Sequence, residues 1–93
     1  MIESTINWSL FQTENGTKTA EDLGIPENQD LPLKAYLQDL KRQKKRFTDG
    51  DVTHIAVYHT VFYEGQCNTE FDPEIISLLH NLKATFCVTC QSV

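Results

Sequence analysis

A strand-like run from His54 to Tyr63, a turn at Gly65, a helix start at Asp72-Pro73-Glu74 and a closing run from Thr85 to Cys90 write a β-α-β unit into the last third of the chain. Asp72 can cap a helix because its carboxylate accepts from backbone N–H groups that have no partner in the first turn. Pro73 suits the first helical position, where its missing N–H costs nothing. Ile75, Leu78, Leu79 and Leu82 then recur at the spacing that lines one helical face. Such a helix returns the chain to a strand that pairs in parallel or takes an alternate place in a mixed sheet. With 93 residues there is room for one core, so residues 1–93 are expected to form a single domain. The expected fold is α+β: a single mixed or antiparallel sheet of three to four strands with two helices on one face.

The first two thirds supply the remaining elements. Ile6, Trp8 and Leu10 alternate with Asn7 and Ser9, which predicts a strand whose apolar set faces the core. From about 13 to 31 the composition turns to Asn, Gly, Thr, Glu and Pro, and a long irregular connection is expected there, with a helical turn at Ala20 to Leu23 ended by Gly24. Leu31 to Phe47 reads as one helix capped by Asp30, with Leu33, Tyr36, Leu37, Leu40 and Phe47 on one face. Asp49-Gly50-Asp51 is a turn signature that stops it.

Chemistry-bearing residues are few. Cys87-Val88-Thr89-Cys90 has C-x-x-C spacing, but on a strand residues three apart point to opposite faces. A redox pair needs a helix start that the chain's last three residues cannot provide, and His54, His59, His80 and Cys67 lack finger-like spacing to the pair. Cys67, Cys87 and Cys90 are therefore expected to be reduced, buried structural residues, and no metal, cofactor or enzymatic activity is expected. His59 falls in the apolar series of its strand and reads as a hydrogen-bonded core or edge histidine.

The run Lys41, Arg42, Lys44, Lys45 and Arg46 is the kind of basic helix end that contacts phosphates. Whole-chain charge opposes that use: the net charge is -5, and outside the cluster three basic residues face thirteen acidic ones. The plainer role is to meet the negative end of a helix dipole. No apolar run approaches the roughly 20 residues a bilayer span needs, and Met1-Ile2-Glu3-Ser4 has no basic leader, so a cytoplasmic location is expected.

The segment around Trp8-Ser9-Leu10, the helix from Leu33 to Phe47, the strand around Ile55-Ala56-Val57-Tyr58, and Phe71 to Leu79 followed by Leu82 to Val88 together resemble a family of small bacterial domains of unknown function. The resemblance implies a ferredoxin-like fold, incomplete here because one β-α segment near the start is lacking, and it brings no catalytic residues. Some relatives are similar to immunity proteins of toxin loci. The expectation is accordingly a small acidic inhibitor, bacterial or phage-encoded, that binds and blocks another protein. Its candidate contacts are Asp49, Asp51, Glu64 and Glu70 in the loops flanking the His54 to Tyr63 strand, with Tyr58 and Phe62 on that strand. The alternative is a nucleic-acid-binding or regulatory module using the basic residues 41–46. A homodimer through sheet edges or through the Tyr58 and Phe62 face is also expected.

Overall fold

A computed structural model describes residues 2–49, 51–66 and 69–93, apart from the side chains of Glu3 and Thr48. The elements are β1 (Ile2–Thr13), β2 (Gly16–Thr19), α1 (Leu33–Arg42), α2 (Lys44–Asp49), β3 (His54–Tyr63), α3 (Pro73–Leu82) and β4 (Ala84–Ser92). The strands form one sheet in the order β2-β1-β3-β4, antiparallel except for the β3–β4 pair, which is parallel. Helices on one face complete an α+β sandwich consistent with an incomplete ferredoxin-like plan.

The β-α-β unit follows from its local signals. Asp72 accepts a hydrogen bond from the Ile75 N–H at 2.9 Å and Pro73 opens α3. Lys83, at φ 52°, reverses the chain in the left-handed region straight after the helix, so β4 begins one residue later. Ile75, Leu78 and Leu82 face the core. They meet Leu33, Tyr36, Leu37 and Leu40 of α1, together with Phe11, Ile55 and Val57 from the sheet.

Four features differ from the sequence reading. First, β1 turns its other set of side chains to the helices: Asn7, Ser9, Phe11 and Thr13 are buried, while Ile6, Trp8 and Leu10 lie half-buried on the opposite face. Polar side chains can take the covered face because each finds a partner there, as described below. Second, the stretch 13–31 holds a strand. Thr13 Oγ1 accepts from Asn15 N–H and donates to the Gly16 carbonyl, and Gly16 at φ 105° closes the β1–β2 hairpin in a conformation that favours glycine. Ala20 and Ile25 beyond it are buried in the core.

Third, the long helix is two helices. It breaks at Gln43, and Phe47 returns to the core from α2. The cap residue of α1 is Pro32 without a side-chain bond, and Asp30 instead gives its N–H to Asn28. Fourth, Cys87 is half-buried and Cys90 exposed, so neither is a core cysteine. The β3–β4 register pairs Cys87 with Tyr58 and Cys90 with Val61, which puts the two thiols on opposite faces. Cys67 and Gly50 lie outside the described residues.

Candidate functional site

Strand alternation divides the sheet into two chemically different faces. On the covered face a polar network runs beneath the helices. The Asn7 amide is held on both sides: its Nδ2 donates to the Leu31 carbonyl at 2.7 Å and its Oδ1 accepts from His59 Nδ1 at 2.5 Å. Because a carbonyl oxygen only accepts, the proton of His59 sits on Nδ1. The ring packs between Phe71 and Phe86, with centroid separations of 6.0 and 6.1 Å, and burial lowers its pKa from the ordinary histidine value. Nearby, Tyr36 donates to Glu27 at 2.7 Å and so must accept from Ser9, at 2.6 Å. Burial pushes the Tyr36 hydroxyl well above the usual phenol range, so it stays a donor.

This network is structural in form. It anchors the segment before α1 to β1, with Asn7 N–H also bonded to the Gln29 carbonyl at 3.0 Å. His59, buried among aromatic rings and bonded through Nδ1 to the Asn7 amide, has the geometry of a core histidine.

The opposite face carries the exposed chemistry. Cross-strand register sets Trp8 against Tyr58, Ile6 against Thr60 and Leu10 against Ala56. Trp8 and Tyr58 stack with ring centroids 4.1 Å apart and planes 10° from parallel. Such a pair contributes about 0.5–1.5 kcal/mol beyond its buried area. Phe62 lies on the same face, opposite Ser4. The result is a half-exposed apolar and aromatic strip, Ile6, Trp8, Leu10, Tyr58 and Phe62, running across the two central strands.

The acidic candidates do not converge on one spot. Asp49 and Asp51 are exposed where β3 begins, and Glu64 and Glu70 are exposed beyond its end. The ten-residue strand β3, about 33 Å long, lies between the two pairs. Tyr58 and Phe62 lie on the open face between them. Asp72 and Glu74 serve the fold: both pair with Lys34 of α1, at 2.6 and 3.3 Å, and Lys34 together with the helix cap holds the Asp72 carboxyl below its ordinary range.

The basic cluster is drawn largely into internal bonds. Arg42 pairs with Asp39 at 3.2 Å, Arg46 donates to the Gly24 carbonyl at 3.1 Å, and Lys44 donates to the Asn81 carbonyl at 3.2 Å. Lys41 and Lys45 are exposed on successive helices. A depression of about 300 Å³ opens beside Lys44, His54 and Lys83. His54 there bonds Thr85 Oγ1 at 2.7 Å. Among the described residues no three His, Cys, Asp or Glu side chains gather as metal ligands, and no helix is long and apolar enough to cross a membrane.

Comparison of the chain with protein-family models, curated proteins and solved structures returns no match. The geometry of the open face therefore carries the functional argument. Sequence reasoning picked out Tyr58 and Phe62 but placed Ile6, Trp8 and Leu10 in the core. The signal that both faces of β3 bear large apolar groups was present, and pairing Trp8 with Tyr58 extends it to β1.

Proposed function

We propose that the protein is a small acidic protein-binding inhibitor, of the kind that serves as an immunity protein or a phage-encoded inhibitor, and that the open sheet face is its docking surface. The observation that carries this reading is the Trp8–Tyr58 stack on a half-exposed face. Rigid aromatic side chains offer large contact area at little conformational cost, and they are enriched where proteins meet. Asp49 and Asp51 at one end, and Glu64 and Glu70 at the other, favour a basic partner that spans the sheet. A net charge of -5 steers such a partner in and lets carboxylates sit where its own anionic substrate would bind. Catalysis has no part in this reading.

The nucleic-acid alternative would use the same basic residues 41–46, of which Arg42, Lys44 and Arg46 already hold carboxylate or carbonyl oxygens. One experiment separates the two. Trp8 is the single tryptophan, so its emission reports directly on the open face. A partner captured from host extract and then purified should shift that emission on titration and lose binding to the Trp8→Ala/Tyr58→Ala variant. The Lys41→Glu/Lys45→Glu variant should bind it unchanged. Binding that survives loss of the aromatic pair but fails with charge reversal would overturn the proposal.

A further inference from the structure

The sheet ends on one side in β2, four residues long and carrying Lys18, and on the other in β4, nine residues long. Shortness and charge are common protections of an exposed sheet edge. β4 has neither: from Ala84 to Val93 there is no Asp, Glu, Lys, Arg, Pro or Gly. On a chain of net charge -5, this neutral border is ground on which two like-charged copies can approach. Among the described residues no strand lies beyond it.

The phase of the edge is set by its last bond. Val93 N–H donates to the Tyr63 carbonyl at 2.9 Å, so the odd-numbered residues of β4 turn their backbone groups toward β3. The even-numbered residues, Val88 at their centre, turn theirs outward. Val88 is also 41% exposed on the helix side of the strand.

We propose that β4 pairs antiparallel with β4 of a second copy, across a two-fold axis at Val88, joining two four-stranded sheets into one. Full overlap of Ala84–Ser92 with itself centres on Val88. It sets Val88 against its own equivalent and Phe86 opposite the second copy's Cys90 on the helix side. On the open side Thr85 meets Gln91 and Cys87 meets Thr89. Paired residues share a face throughout, and the outward-turned residues become the directly hydrogen-bonded pairs. Apolar groups and thiol thus meet on one side, hydroxyl, amide and thiol on the other. The second copy is the fitting occupant because a border without charge presents no like-charge repulsion to itself, and its centre is the exposed, outward-turned Val88.

The test uses the full chain. Sedimentation equilibrium from about 10 μM to about 1 mM, a range that covers weak association, should show a monomer–dimer equilibrium that Val88→Lys abolishes. In a Cys67→Ser/Cys87→Ser/Cys90→Ser background that retains this equilibrium, Val88→Cys should cross-link to its equivalent at least about tenfold faster than Ser92→Cys, through the effective concentration of the paired strands. The two copies of residue 92 would lie roughly 27 Å apart along the ladder. Trp8 emission should not change on dilution, since the open face is left uncovered. A monomer throughout the range, a dimer that survives Val88→Lys, equal cross-linking rates, or a dilution-dependent Trp8 shift would each overturn the proposal. The last of these would point to association through the open face instead.

Discussion

Replacing Asn7 by alanine tests whether the covered face of the sheet is held by its polar network. Asn7 is fully buried and makes two side-chain bonds, one to the Leu31 carbonyl and one from His59. Its loss leaves the buried His59 donor, at about 1–3 kcal/mol, and the half-buried Leu31 carbonyl, at somewhat less, without partners, so Asn7→Ala should lose about 2–5 kcal/mol. That is a large share of the roughly 5–15 kcal/mol by which a domain is stable. In urea the midpoint should fall by about 1–3 M at the m-value usual for a chain of this size. Amide exchange should also rise at Gln29 to Leu31, the segment that Asn7 ties to β1. A double-mutant cycle with His59→Leu should show a coupling above about 0.5 kcal/mol, because the two side chains satisfy each other. A cost for Asn7→Ala below about 1 kcal/mol, or additivity in the cycle, would refute the account of why polar residues occupy the covered face.

Two further outcomes follow from the same network. Burial lowers the His59 pKa below the ordinary value of 6.5, so the unfolded chain takes up the proton first. The stability due to the neutral ring is present above pH 6.5 and is lost as pH falls from there toward the lowered folded value, with a slope of at most about 1.4 kcal/mol per pH unit. Asp22, whose carboxylate accepts from the Thr19 N–H at 3.0 Å, and Asp72 are both held below the carboxylate value of 3.8 and lose their contributions only at more acidic pH. Urea midpoints between pH 5 and 8 should therefore decline toward acid in the wild type and flatten in His59→Gln; a flat wild-type profile would count against the assignment. Tyr36→Phe should cost about 1–3 kcal/mol, because Ser9 Oγ is left buried without its acceptor. Thermal unfolding of Tyr36→Phe beside Ser9→Ala/Tyr36→Phe checks this, since removing both partners should recover part of the loss.

The parts of the fold legible from sequence are those written locally. Asp72, Pro73 and the leucines of α3 act within a few residues of themselves, and the β3-α3-β4 unit stands as the pattern implies. The orientation of β1 was not legible in that way. A period of two marks alternate faces without saying which is covered, and the partners that make Asn7 and Ser9 acceptable inside lie 52 and 27 residues away. The break at Gln43 was hidden for another reason: Leu40 and Phe47 keep helical spacing across it, so the apolar pattern is the same for one helix or two. β2 was masked by composition, because Gly16 and Thr17 read as loop until Thr13 closes the turn. Of the candidate site, Tyr58 and Phe62 could be read from β3 alone. Trp8 joined them only once strand pairing was known.

The junction between β1 and β3 divides the molecule by order of synthesis as well as by position. β1, β2 and α1 come from the first half of the chain, while β3, α3 and β4 come from the second, and each half can form its own strand pairing over short chain distances. The ladder that unites them joins residues such as Asn7 and His59, 52 positions apart. Closing that ladder should be the slow, entropically costly event in folding. It also aligns Trp8 with Tyr58. The aromatic face therefore exists only in chains whose two halves have met, and tryptophan emission during refolding should report that last step.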